Sequence, residues 1–279
     1  MEPKIVLIIL VIILILFLNL KMISPFSTID YRDYLNKMYQ QFKPRFKFIT
    51  NGSSFGCIDM VYTVSMPERT KYITSKMKEL GLNYMLFDAV KPRDLSESDY
   101  NVLSTTNEPY NLIYNKKTRL PVMLSFVMCF LDALENGYNT ICIFEDDIVE
   151  NVSKEIVEKS LCEFKGSDMD SFFMGYCFLN CKQSKRDYQF ISELSDPSLV
   201  CCHAMCYKTK MLPGLIDYCF KMTKPCDELF TEYFVRNKIK VGVPKGTTYF
   251  DQVDRFNRPD DKGELPSLNE STEILKYCR

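Results

Sequence analysis

The chain opens on an unbroken apolar run, Ile5 to Leu18, followed by the mixed segment Asn19 to Ile23. As a helix this stretch reaches about 21–28 Å at 1.5 Å per residue, short but compatible with a thin bilayer. No small-x-small cleavage site follows, and Ser24-Pro25-Phe26 is a poor substitute. Residues 1–23 therefore read as an uncleaved signal anchor rather than as a removed signal peptide. Residues 24–56 are polar, aromatic and basic without a clear period and read as a stem. A folded domain is expected over residues 57–279.

Within that domain the periods alternate. Cys57 to Val64 is a short apolar, β-branched run and predicts a buried strand. Ser65, Pro67 and Glu68 have the spacing of a helix start with a capping box, and Ile73, Met77 and Leu80 recur at helical spacing up to Gly81. Tyr84 to Phe87 predicts a second strand, closing on Asp88, so strand–helix–strand implies a parallel pair with a right-handed crossover. Lys91 to Lys117 shows little period and reads as a loop. Leu120, Leu124, Val127, Leu131 and Leu134 predict a helix, with Pro121 at its start and Gly137 at its end. Thr140 to Phe144 is wholly apolar, as a central strand covered on both faces should be. A helix is expected near Ser153, strands at Ser171 to Met174 and Val200 to Tyr207, and a helix from Lys208 to about Phe220. The alternation gives an α/β class.

Charge and composition narrow the function. The formal net charge is -1 and no Lys/Arg block stands out, which gives no electrostatic case for nucleic acid. A single histidine excludes His-rich zinc sites and leaves carboxylates as ligands, favouring Mn²⁺ or Mg²⁺. Twelve cysteines are an even number and suit disulfides in an oxidising lumen. Cys129 and Cys142 lie in apolar runs and read as small buried hydrophobes. Orientation is ambiguous, since only Lys4 precedes the apolar run while Lys21, Arg32 and Lys37 follow it. Asn51-Gly52-Ser53, Asn151-Val152-Ser153 and Asn269-Glu270-Ser271 fit the glycosylation pattern and tilt the expectation towards a lumenal, type II arrangement.

The chemistry concentrates where the apolar strand ends. Glu145, Asp146 and Asp147 follow Phe144 directly, and three carboxylates there repel one another unless a cation neutralises them. Open α/β sheets bind ligands beyond the carboxyl ends of their strands. Alternation along a strand-like exit lets Glu145 and Asp147 point together while Asp146 turns away. The competing reading is a solvated acidic turn before a helix. His203, in Cys201-Cys202-His203-Ala204-Met205, reads as a satisfied core residue or as a contact to metal or acceptor. Asp227 and Glu228 open a helix and serve either as its cap or, for one of them, as a general base.

These residues resemble glycosyltransferase family 25, the lipopolysaccharide and procollagen galactosyltransferase-like group, versions of which occur in large DNA viruses. The segments that carry the resemblance are Val61 to Arg69, Phe87 to Val90, Ile143 to Ile148, His203-Ala204, Pro225-Cys226-Asp227 and Phe250-Asp251-Gln252, in that order. The resemblance implies an A-type glycosyltransferase fold, with a Rossmann-like, mostly parallel sheet. It implies a nucleotide-sugar donor, often UDP-linked, with Mn²⁺. Met66 and Arg69 would lie by the nucleotide and Asp88 near its base or ribose. Glu145, Asp146 and Asp147 would hold the metal, with His203 as a further candidate ligand. Asp227 would activate an acceptor hydroxyl on a glycan or protein. The other classes left open are a catalytically silent, membrane-tethered protein of the same fold and a nucleotidylyltransferase. The lack of a glycine-rich phosphate loop after the first strand counts against the latter.

Overall fold

The computed structural model describes residues 31–103, 116–178, 184–220 and 224–252. In chain order the elements are α1 (Tyr31–Phe42), β1 (Phe46–Ile49), β2 (Met60–Ser65), α2 (Thr70–Glu79) and β3 (Tyr84–Asp88). Next come α3 (Glu97–Leu103), α4 (Lys116–Glu135), β4 (Thr140–Glu145), β5 (Ile148–Glu150), α5 (Lys154–Gly166) and β6 (Ser171–Phe178). The chain continues with β7 (Ser184–Asp187), β8 (Ile191–Leu194), β9 (Leu199–Lys208), α6 (Leu212–Cys219), α7 (Cys226–Arg236), β10 (Val241–Pro244) and β11 (Phe250–Gln252). The chain divides into two compact units, residues 1–38 and 39–279. Of the first, the described part is the opening of α1. The expected anchor over residues 1–23 lies outside the described residues, and no described helix is long and apolar enough to cross a membrane.

The larger unit is built on a nine-stranded sheet ordered β1-β3-β2-β4-β9-β6-β10-β8-β7, beside a two-stranded pair of β5 and β11. β2, β3, β4, β6, β7 and β10 run one way, and β1, β8 and β9 run the other. β2 lies parallel to both β3 and β4, as the strand–helix–strand pattern requires. β4 sits in the middle with Thr140 to Phe144 buried, as its unbroken apolar sequence demands.

One face carries α2 and α5. Ile73, Met77, Val157, Leu161 and Phe164 join Val61, Cys142, Phe144, Ala204 and Phe250 in a single core cluster. The other face carries α4 and α7: the Phe130 ring meets Tyr207 at 5.1 Å and the Phe126 ring meets Phe230 at 5.8 Å, both edge-on. Asp132 is buried on α4 but accepts hydrogen bonds from Tyr62 and Tyr39, which is how a carboxylate survives there. Gly81 and Gly137 adopt φ of +60° and +69° just past α2 and α4, the left-handed stops expected of them.

Three expectations are corrected. The stretch read as a stem is part of the folded unit from Tyr39 on: β1 pairs antiparallel with β3 from Phe46↔Phe87 to Ile49↔Tyr84, and Phe42 and Phe55 are buried. α2 begins at Thr70 rather than beside Ser65, because Met66 and Arg69 are drawn to Asp146 instead. Cys142 is not a free thiol but bonds Cys206 across β4 and β9, while Cys129 is free and buried. A second disulfide, Cys57–Cys162, ties the approach to β2 to α5, and Cys201 is also disulfide-bonded.

Candidate functional site

The parallel strands β2, β3 and β4 deliver their carboxyl ends to one edge of the sheet, and the candidate residues gather there. Ser65↔Asp88 and Val64↔Glu145 are register partners, so Met66, Asp88 and the acidic triplet are neighbours by construction. The triplet divides into different environments. Asp146 has both oxygens engaged: Oδ2 accepts the Met66 N–H at 2.6 Å and Oδ1 accepts Arg69 Nη1 at 2.7 Å. Burial still holds its carboxyl above the ordinary range, against the pull of those two donors. Asp146 therefore latches the turn after β2 onto the end of β4.

Glu145 points elsewhere. Its Oε2 accepts the Gln252 Nε2–H at 3.0 Å, from β11. Burial, then Asp147, Asp146 and Asp227, push its pKa up to about 8. Asp147 lies between the two environments. It is the carboxylate Glu145 feels most strongly, and its Oδ2 is 3.4 Å from Arg69 Nη1. Burial pulls the Arg69 pKa down, but Asp146 and Asp147 outweigh it and raise it, so this guanidinium stays charged beside the acidic edge.

Asp227 comes to the same site from the first turn of α7. Its Oδ2 accepts the Cys201 N–H at 3.2 Å, presented by a residue with φ of +69°, and its Oδ1 accepts the Glu228 N–H at 3.0 Å. It thus fills the helix-start role and also lies close enough to Glu145 to raise its pKa. Asp88 is partly exposed, with Lys91 Nζ 3.3 Å from its Oδ1. His203 is not brought to the triplet by its hydrogen bonding: it is buried, and its Nε2 is 3.0 Å from the Phe250 carbonyl oxygen. Burial lowers its pKa, so the ring is neutral.

Sequence reasoning singled out Phe250-Asp251-Gln252 only as part of a resemblance and gave Gln252 no role, yet its amide is the neutral partner of Glu145. No local signal points to it, because the contact spans 107 positions. Among the described residues no group of three or more His, Cys, Asp or Glu side chains is arranged to hold a metal ion.

Residues 60–210, just over half of the chain, match glycosyltransferase family 25 (LPS biosynthesis protein). No curated protein sequence matches. Among solved structures, the chain is similar to A197 from STIV, at 13% identity over 68% of this chain and 82% of the other, with a TM-score of 0.35. It is also similar to a UDP-glucose pyrophosphorylase solved with UDP-glucose, at 8% identity over 68% and 92% of the two chains, with a TM-score of 0.38. A third is the mannose-1-phosphate geranyltransferase from Thermus thermophilus, at 9% identity over 69% and 75%, with a TM-score of 0.34.

Proposed function

Because the chain belongs to glycosyltransferase family 25, we propose that it transfers a hexose, galactose or glucose, from a nucleotide-diphosphate sugar to a sugar or hydroxylated side chain. The donor is UDP-linked in this reading, and the fold is the A-type glycosyltransferase fold. The observation that carries the reading is the crowding of Glu145, Asp146, Asp147 and Asp227 at the carboxyl edge of the sheet, where burial first and the neighbouring carboxylates second push the Glu145 pKa up to about 8. Such a concentration of carboxylates is unfavourable unless a cation or a proton relieves it.

The residues fit a hard dication, Mn²⁺ or Mg²⁺, on the chemistry of their donors. Glu145 and Asp147 are the pair that would hold it. Asp146 is already engaged by Arg69 and the Met66 N–H, and His203 gives its Nε2 proton to the Phe250 carbonyl, so only its bare Nδ1 could join the pair. Two carboxylates are enough, since such ions take their remaining ligands from substrate phosphates and water. When bound, the ion supplies neutralisation of the leaving diphosphate.

The chain's own residues do the rest. Arg69 adds a fixed positive charge at the diphosphate, held in place by Asp146. Asp88, at the end of β3, binds the nucleoside. Asp227 accepts the proton of the acceptor hydroxyl on a carboxylate oxygen, its carboxyl oriented by the Cys201 and Glu228 N–H groups. An anchored, lumenal placement in the ER, the Golgi or an equivalent viral-host compartment agrees with the disulfides Cys57–Cys162 and Cys142–Cys206, whose partners lie 105 and 64 positions apart.

The full chain in detergent, screened against a panel of nucleotide sugars with Mn²⁺ or with EDTA, tests the reading. It should release nucleoside diphosphate from one or two donors in the presence of Mn²⁺. A chain that hydrolyses none of them and binds none is a catalytically silent protein of the same fold.

A further inference from the structure

The short strand β11 reaches the acidic edge from far along the sequence, and both its ends are fixed. At its far end Gln252 Nε2 donates to Glu145 Oε2 at 3.0 Å. At its near end the Phe250 carbonyl accepts from His203 Nε2 at 3.0 Å. A carbonyl only accepts, so Nε2 carries the ring proton and Nδ1 is the bare acceptor, which agrees with Nδ1 being buried without a partner. The seat for this ring exists because residue 175 is glycine. A Cβ there would lie 2.1 Å from His203 Nε2 and 2.6 Å from the Phe250 oxygen, closer than any real Cβ contact. The Phe250 ring also packs edge-on against Phe144 at 5.0 Å, one residue before Glu145. Between these ends β11 pairs with β5, with Gln252 opposite Ile148, the residue that follows the triplet.

The chemistry of an amide suits this position. A lysine there would compete with a dication, and a further carboxylate would add to the repulsion. A neutral donor orients Glu145 without changing the charge that the ion needs. We propose that Gln252 is a positioning residue of the cation site: it engages Glu145 Oε2, leaves Oε1 for the ion, and is itself placed by the Gly175–His203–Phe250 lock. This rests on the reading of Glu145 and Asp147 as the cation pair.

The test is Mn²⁺ binding by the full chain in detergent, read from loss of the free-ion electron paramagnetic resonance signal. Gln252→Met keeps the side-chain length and removes the donor, so it should weaken Mn²⁺ binding about tenfold, as loss of an orienting partner does. Its melting temperature without metal should stay within about 2 °C of the parent, a small stability change for a domain of this size. Gly175→Ala should weaken binding to a similar degree, and the double variant should lose no more than Gln252→Met alone, because both act through one contact. The Gln252→Met result decides the matter even if Gly175→Ala does not fold. Binding by Gln252→Met within about twofold of the parent overturns the proposal. A parent chain that binds no Mn²⁺ removes the cation pair itself, and the proposal with it.

Discussion

Replacing Glu145 with glutamine should make the metal-free protein more stable at alkaline pH and leave it unchanged at acid pH. The carboxyl has a pKa of about 8 in the fold against an ordinary value of 4.5. The folded state therefore binds a proton that the unfolded state releases as pH rises above about 4.5. Stability is fully present below that pH and is lost progressively up to about 8, at a limiting slope of about 1.4 kcal/mol per pH unit. Between pH 4.5 and 7 this amounts to roughly 3 kcal/mol at the limit. Glu145 is half-buried, and water screens part of its repulsion, so about 1–3 kcal/mol is the working figure. Glutamine has no proton to lose and can still accept from Gln252. At pH 8 in EDTA the variant should melt about 2–10 °C above the parent, and at pH 5 the two should coincide. Circular dichroism melts across pH 5–8 measure this directly. A difference between the two proteins that does not change with pH would show that Glu145 carries no unusual proton.

Three other outcomes follow from the geometry. Asp88→Ala should weaken binding of the nucleotide donor in calorimetry with little change in melting temperature, because the side chain is partly exposed; unchanged affinity would remove Asp88 from the nucleoside site. Arg69→Met should destabilise the metal-free protein by about 3–5 kcal/mol, since it leaves the buried Asp146 unpaired, and added Mn²⁺ should recover little of this; parent-like urea unfolding would show the latch to be dispensable. A chain beginning at residue 57 should melt well below one beginning at residue 31, because it lacks β1 and the buried Phe42 and Phe55; equal melting temperatures would make β1 an ornament of the sheet edge.

The buried centre was legible because its physics is local. β4 declares itself as an apolar run ending in three acids, and Gly81 and Gly137 mark helix ends that need left-handed backbone. What escaped depends on distant partners. β1 hides in a polar and aromatic stretch because it is an edge strand, with Lys47 and Phe48 exposed and no alternating core face long enough to read. β5 and β11 have three residues each and no period. The early capping signal at Ser65 lost to a tertiary bond, as Asp146 took the Met66 N–H and held Arg69 outside the helix. Asp227 illustrates the limit differently: its place at the start of α7 was readable, but its closeness to Glu145 required the fold.

In the proposed function Glu145 and Asp147 hold a divalent cation that in turn holds a nucleoside diphosphate. Calorimetric titration of UDP into the full chain, with Mn²⁺ and with EDTA, for the parent and for Asp147→Asn, tests it most directly. The parent should bind UDP at least tenfold more tightly with Mn²⁺, and Asp147→Asn should lose that gain while melting no lower than the parent without metal. Equal Mn²⁺ enhancement in both proteins, or none in the parent, would mean that the acidic edge is a solvated turn and that the donor is held some other way.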